Sequence, residues 1–302
     1  MKTWSTPVTN EKASAVPCCY CGGSIFKPAL NCEGFRYVRC KTCSLVQINP
    51  QPDKDEVVAR YSSKHGNDYL AYELENEAAF LKLQELALKD AGFFKLEKSL
   101  MRDTNATRVS SAEKDLSVLD IGCATGALLA RLRERGWRVT GVEISPCAEY
   151  ARKKRALEIK SVPLEECNFP DKSFDIVFAS HLIEHLNDPH LFLNKVYRVL
   201  KTGGYFYITT PNISSFQACL FRSRWRSAIF DHLYLFSFKT LTAMLKKSGF
   251  TPEKISTWGG LASGLAPMWV KKPLDFLAKR LGFGDVMIIR ARKWEWGMGS
   301  RE

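Results

Sequence analysis

The feature that most constrains the fold is a glycine-containing turn within residues 115–129. An apolar run at 118–121 leads into a turn containing Gly122 and Gly126, and residues 127–132 have the spacing of an amphipathic helix. Strand, glycine turn and helix form the first unit of α/β sheets that bind a nucleotide at the carboxyl end of the strand. The sequence therefore predicts an α/β fold with a ligand beside this turn.

The residues of the turn restrict the ligand. The spacing is Asp120-x-Gly122-x-x-x-Gly126, with Ala124 where a dinucleotide-binding turn could carry its middle glycine. Gly122 can adopt backbone angles that a side chain forbids, and it allows a ligand to approach the main chain. The Asp120 carboxylate would repel a pyrophosphate but suits an ammonium or sulfonium group. The turn thus favours S-adenosylmethionine over NAD.

The segment Val118-Leu-Asp-Ile-Gly-Cys-Ala-Thr-Gly126 resembles the first motif of class I S-adenosylmethionine-dependent methyltransferases. The resemblance implies a Rossmann-like seven-stranded sheet with helices on both faces. It also implies that Asp120, Gly122, Cys123 and Gly126 lie at the cofactor, with Cys123 as a packing residue rather than a nucleophile. A glycine turn in another type of α/β enzyme is the alternative.

Further cofactor contacts are expected after the next three predicted strands. Glu143 follows Asp120 by 23 residues, where a carboxylate can accept hydrogen bonds from ribose hydroxyls. Ile144 is its neighbour. The family resemblance adds Leu164 and Glu165 near the adenine and Ser180 at the end of a later strand. An acidic residue in an ordinary βα loop is the alternative for Glu143.

Two histidines are candidates for catalysis. The stretch Ala179 to Pro189 resembles the Glu-His-Leu-x-Asp-Pro helix start of the family, and it places His181 near the transferring methyl group. In the same family an insertion ending in His-Leu-x-x-Phe-Ser lies over the active site, which makes His232 the best candidate for a general base. Capping of the helix at 239–247 is the alternative for His232, and a structural role is expected for His185.

The cysteines are clustered near the N-terminus. Six of the ten cysteines lie between residues 18 and 43, and four of them form two Cys-x2-Cys pairs separated by 18 residues. Such clustering favours metal binding, and this spacing is typical of a four-cysteine zinc ribbon. Four thiolates leave no open coordination position, so the zinc should be structural. The predicted ligands are Cys18, Cys21, Cys40 and Cys43.

The charge distribution bears on possible partners. The chain carries a net charge of +12, and residues 216–302 contain 15 Lys and Arg against 6 Asp and Glu. A surplus of this kind favours an anionic partner or reflects solvated helix faces.

The predicted acceptor is a small molecule, a sugar or glycan, or a lipid-linked compound, methylated on oxygen. RNA methylation and a non-catalytic binding module are the alternatives.

The segment 265–281 is basic and amphipathic, so peripheral membrane contact or packing on the sheet edge is expected. The N-terminus lacks a signal-peptide pattern, and the prediction is a cytoplasmic protein. Nothing in the sequence indicates an oligomeric state.

The predicted organisation is a disordered tail (1–16), a zinc ribbon (17–52), a helical linker or lid (53–113) and the methyltransferase domain (114–295). This ribbon followed by the glycine motif resembles a bacterial subgroup of class I methyltransferases.

Overall fold

The computed structural model describes residues 15–62, 64–106, 116–259 and 267–294. Residues 1–14 of the predicted tail, residues 63 and 107–113 of the predicted linker or lid, and residues 114–115, 260–266 and 295 of the predicted methyltransferase domain lie outside these ranges. The first two residues of the 265–281 segment are among them. Eleven strands and nine helices occur in the described part of the chain. The strands are β1 (Phe26–Cys32), β2 (Phe35–Cys40), β3 (Val46–Ile48), β4 (Ser117–Ile121), β5 (Arg138–Val142), β6 (Ile159–Lys160), β7 (Phe174–Ser180), β8 (Leu200–Pro211), β9 (Tyr234–Leu235), β10 (Phe250–Trp258) and β11 (Val286–Lys293).

The helices lie before, between and after these strands. Three precede the large sheet: α1 (Lys54–Ser62), α2 (Lys64–Asp90) and α3 (Phe93–Ala106). The others alternate with its strands: α4 (Ala127–Glu134), α5 (Cys147–Arg155), α6 (Pro189–Val199), α7 (Phe216–Phe221), α8 (Phe238–Lys247) and α9 (Met268–Leu281).

The large sheet has seven strands in the order β10-β11-β8-β7-β4-β5-β6. The five strands from β6 to β8 are parallel, and β11 is inserted antiparallel between β8 and β10. All five residues of β4 are buried, as expected for a central strand covered by helices on both faces. The predicted fold class is confirmed, and the carboxyl ends of β4, β5 and β7 meet at one edge.

The small sheet joins two distant parts of the chain in the order β1-β2-β3-β9. Strands β1 to β3 belong to residues 15–52, which we call the four-cysteine unit. Strand β9 belongs to the long connection between β8 and α8. The buried residues of both parts form one continuous hydrophobic cluster with one face of the large sheet, so the four-cysteine unit packs directly on the main fold.

Two local features differ from the sequence-based expectation. Apolar residues at helical spacing predict one long helix over 74–100. The structure has two helices there, with α2 starting at Lys64 and a break at Gly92, whose φ of 81° does not fit a helix. The run from Val196 to Gly204 also predicts a helix that ends with a glycine C-cap at Gly203, and this prediction is wrong. Helix α6 ends at Val199, and Gly203 lies inside β8 with a φ of 78°.

Helix α9 packs against β10 near the edge of the sheet, and the Thr257 hydroxyl donates a hydrogen bond to the Ala278 carbonyl. Trp269, Phe276 and Leu281 are exposed. Membrane contact by this segment stays a prediction. Among helices in the described ranges, none combines the length and apolar character needed to span a bilayer.

Candidate active site

The glycine turn links the ends of two neighbouring strands. The amides of Gly122 and Cys123 donate hydrogen bonds to the Val142 carbonyl at the end of β5, over 2.8 and 3.2 Å. Gly122 and Gly126 have φ angles of 73° and 76°, a region that L side chains rarely adopt. The turn therefore exposes backbone at the carboxyl edge of the sheet, beside Asp120.

Two buried carboxylates flank this turn. Asp120 is the last residue but one of β4 and has 3% of its surface exposed, and Glu143 has 7% exposed. Glu143 accepts hydrogen bonds from the Ala124 and Ser145 amides over 2.9 and 2.8 Å. Because a carboxylate can accept about four hydrogen bonds, Glu143 keeps capacity for hydroxyl donors. Burial and the nearby Glu143 charge raise the pKa of Asp120 to about 7.

Helix α2 adds residues that sequence reasoning did not assign to the site. The Thr125 hydroxyl of the glycine turn donates to Glu77 over 2.6 Å, and Arg155 donates to the same carboxylate over 2.7 Å. One turn earlier on α2, Glu73 accepts a hydrogen bond from Tyr69, and burial raises the pKa of Glu73. The tyrosines at 61, 69 and 72 make this part of the sequence distinctive, but nothing local in it indicates a helix that reaches the turn.

Cys123 is buried within the turn, and burial followed by the charges of Asp120 and Glu143 raises its pKa well above that of a free thiol. A neutral buried thiol is a poor nucleophile, which fits the expected packing role.

Leu164 is buried in a short 3-10 turn, and Glu165 beside it is partly exposed. Ile144 and Ser180 are half-buried, at the carboxyl ends of β5 and β7. Their contacts with a cofactor stay predictions.

His181 follows directly after β7 and has an unusual backbone conformation. Its φ is 52°, and its amide donates to the Thr209 carbonyl over 2.9 Å. Its side chain is 48% exposed, and its Nδ1 lies 3.3 Å from Oε1 of the fully buried Glu184. The Thr210 hydroxyl donates to the other oxygen of Glu184 over 2.9 Å. A buried carboxylate thus faces an accessible imidazole at the carboxyl edge.

The charge of Glu184 is stabilised by its neighbours. Burial alone would raise the pKa of Glu184, but the interaction with His181 and the nearby His185 and His232 lower it to about 2. Burial lowers the pKa of His185 and brings that of His232 to about 4. Because their pKa values are lowered, His185 and His232 are neutral at pH 7. At that pH, the side chains that interact with the Glu184 carboxylate are therefore those of His181 and Thr210.

His232 is buried, with 9% of its surface exposed. Its Nδ1 lies 2.8 Å from the Ser227 carbonyl, and its ring packs edge-on against His185 with centroids 4.7 Å apart. The alternative role as a helix cap is wrong, because Ser237 caps α8 through a capping box with Thr240. His185 lies 3.0 Å from the Tyr61 hydroxyl, in agreement with the structural role expected for it.

Within the described residues, two groups of side chains could hold a metal ion. The Sγ atoms of the four predicted cysteine ligands lie within 4.8 Å of one another, with Cys18–Cys43 at 3.4 Å and Cys21–Cys40 at 3.5 Å. Four sulfurs around one zinc at about 2.3 Å would be separated by about 3.8 Å, so the donor set fits that ion. Glu184, His185 and His232 form the second group, and the ligand atoms that they offer also lie within 4.8 Å of one another.

Comparison with known proteins identifies the family. A model of the methyltransferase domain matches residues 93–255, which is more than half of the chain. The chain belongs to this methyltransferase-domain family. S-adenosylmethionine is the cofactor expected for the family, as the glycine turn predicted.

Individual relatives match over shorter stretches. Malonyl-[acyl-carrier protein] O-methyltransferase of Serratia marcescens is 32% identical over 136 residues, covering 42% of this chain and 51% of that protein. Demethylmenaquinone methyltransferase of Chlorobaculum tepidum is 32% identical over 152 residues, covering 48% and 58%. The chain thus spans little more than half the length of these curated relatives.

Among solved structures, a SAM-dependent methyltransferase from Thermotoga maritima, described as a possible histamine N-methyltransferase, is 24% identical. The match covers 74% of this chain and 98% of that one, with a TM-score of 0.47.

Proposed function

We propose that this protein transfers a methyl group from S-adenosylmethionine to a hydroxyl of a small-molecule, sugar or lipid-linked acceptor. The observation that carries the proposal is the meeting of two arrangements at one sheet edge. The carboxylates of Asp120 and Glu143 flank the glycine turn, and the His181–Glu184 pair follows the adjacent strand β7. One of the two named relatives is an O-methyltransferase of a carrier-linked acceptor, and the other is a methyltransferase of a small molecule, a quinone precursor.

The cofactor side is formed by the turn and its carboxylates. Asp120 would hold the ammonium group of the cofactor, and Glu143 would accept hydrogen bonds from its ribose hydroxyls. S-adenosylmethionine supplies a methyl group on a positively charged sulfur, with a neutral leaving group. Alignment of the acceptor therefore provides much of the rate.

His181 is the residue we infer to act as general base. A hydroxyl acceptor must lose its proton as the new bond to carbon forms, and an imidazole is suited to accept it near neutral pH. Glu184 would orient His181 and stabilise the imidazolium, while burial and the low pKa of His232 make that residue a weaker candidate. His181 is also a non-glycine residue with positive φ, a type of strain that is concentrated at functional sites.

We further infer that Cys18, Cys21, Cys40 and Cys43 bind one structural zinc ion. The proximity of the four sulfurs supports this, and so does the small size of the four-cysteine unit, which gains folding free energy from a metal. Elemental analysis of protein purified without chelator should find one zinc per chain. Protein that is folded and free of zinc would contradict the inference.

The substrate class can be tested directly by mass spectrometry of products. Purified protein is incubated with S-adenosylmethionine and, separately, with a carrier-linked malonyl thioester, a hydroxylated quinone, a set of nucleotide sugars and a mixed RNA sample. Addition of one methyl group to a small hydroxylated compound supports the proposal. Methylation of RNA alone would replace it with the RNA alternative.

A further inference from the structure

We propose that the four-cysteine unit is a positioning element for the acceptor side of the site. Its metal-bound hairpin contacts the segment 222–236 through the Tyr37 hydroxyl and through strand β9. These contacts hold the segment in place, so that His232 stays packed against His185. This inference rests on the proposed function, which places the acceptor beside the His181–Glu184 pair. We call that region, together with the neighbouring His185 and His232, the acceptor side. The contacts themselves do not depend on it.

The first observation is that the small sheet is completed by the main fold. Strand β9 has only two residues, and it pairs antiparallel with β3 through Val46–Leu235 and Gln47–Tyr234. The Ile48 amide donates to the Leu233 carbonyl over 2.9 Å. Since so short a strand has little stability of its own, its conformation depends on β3.

The second observation is the position of the Tyr37 side chain. This residue lies in the middle of β2 and is 1% exposed. Its hydroxyl oxygen is 2.8 Å from the carbonyl oxygen of Ile229 and 2.8 Å from that of His232. A phenol donates one hydrogen bond at a time, so the two carbonyls share one donor, which fixes the turn at 229–232.

The cysteine cluster determines where Tyr37 lies. Cys40 ends β2, three residues after Tyr37, and its amide donates a hydrogen bond to the Leu45 carbonyl across the second cysteine knuckle, over 2.9 Å. A metal bound by Cys40 and Cys43 would close this knuckle between β2 and β3. The same ion would therefore set the register of the hairpin that carries both Tyr37 and the partner of β9.

The segment 222–236 is held at its other end by the large sheet. The indole of Trp225 donates to the fully buried carboxylate of Asp285 over 2.6 Å, and Arg226 forms an ion pair with the same group. The Tyr234 hydroxyl donates to the Asn187 carbonyl over 3.1 Å, near His185. Loss of the Tyr37 contacts should thus loosen residues 229–235 while the Trp225 end stays fixed.

The test compares Tyr37→Phe with wild type and with Tyr20→Phe, a matched control in the same unit whose ring lies over Lys247 at the surface. Amide hydrogen exchange and ¹⁵N-histidine NMR spectra are recorded without cofactor. We expect Tyr37→Phe to speed exchange in 229–235 about tenfold, the effect of losing one buried hydrogen bond. The imidazole signals of His232 and His185 should shift, and zinc content and S-adenosylmethionine affinity should stay unchanged.

Two outcomes would overturn the positioning role. One is unchanged exchange and unchanged histidine signals in Tyr37→Phe. The other is an acceleration spread evenly over the whole chain, which would show a role in global stability alone. If the variant does not fold, graded removal of zinc from wild-type protein by a chelator provides the same readouts, with 229–235 expected to lose protection before the large sheet.

The design separates this inference from the proposed function. Absence of S-adenosylmethionine binding in wild type and variant alike would contradict the proposed function and leave the exchange and NMR results valid. Normal binding without local loosening would contradict the positioning role only.

Discussion

At the end of β7, one residue combines positive φ, solvent access and contact with a buried carboxylate. His181 has all three properties, whereas the other candidate base, His232, is enclosed and has a pKa near 4. The family resemblance marked both histidines and favoured His232 as the general base, whereas our proposal places that role on His181. Ranking required the burial of each ring, which depends on chain segments about 50 residues apart.

The general base can be tested by His181→Asn, which tolerates the left-handed backbone better than most residues. We expect kcat to fall about 10²- to 10⁴-fold, the usual contribution of a general base, with unchanged S-adenosylmethionine affinity. Glu184→Gln should lower kcat as well, because it removes the charge that orients His181. His190→Gln, on α6, serves as the control, and retention of full activity in His181→Asn would exclude this residue as the base.

The raised pKa of Asp120 makes cofactor binding depend on pH. In the free protein this carboxyl titrates at about 7, and a cationic ligand binds the ionised form more tightly. Affinity for S-adenosylmethionine should therefore increase as the pH rises through 7, and it should be about tenfold lower at pH 6 than at its plateau. Isothermal titration calorimetry at pH 6 and pH 8 measures this. Equal affinities would show that Asp120 does not change its ionisation on binding.

At the scale of elements, the sequence predicted the parallel strands and the glycine turn because both have local signals. Apolar runs mark β4 and β7, and Gly122 marks the turn between β4 and α4. The pairing of β3 with β9 had no such signal, because the two strands are about 190 residues apart and β9 is two residues long. The path of α2 across the turn was missed because the residues in contact there are also far apart in the sequence.

Gly126 provides an element-scale test of the turn. A Cβ at this position would lie 2.5 Å from Cδ1 of Leu157, and its φ is positive, whereas Gly136 has positive φ with nothing within 4 Å. Gly136→Ala should lower the free energy of unfolding by about 1–2 kcal/mol through backbone strain. Gly126→Ala should cost about 1–3 kcal/mol more through crowding. Urea denaturation measures both, and equal losses would mean that the packing of Leu157 on the turn is loose.

At the scale of the whole molecule, the two parts of the site come from different layers of the fold. The proposed cofactor side lies on the parallel half of the large sheet, and the segment 222–236 contacts both that sheet and the four-cysteine unit. The family match covers residues 93–255 and so leaves out the four-cysteine unit. The sequence predicted each part, but not that β9 joins them.

The central claim is that the carboxylate-flanked turn binds S-adenosylmethionine, and equilibrium calorimetry with wild type and Asp120→Ala tests it most directly. Glu149→Ala is the matched control, since this carboxylate is exposed on α5 and paired with Lys153. We predict binding by wild type and control, with affinity at least about tenfold lower for Asp120→Ala after loss of a charged contact. Affinity that Asp120→Ala leaves unchanged, or a wild-type protein that does not bind the cofactor, would contradict the claim.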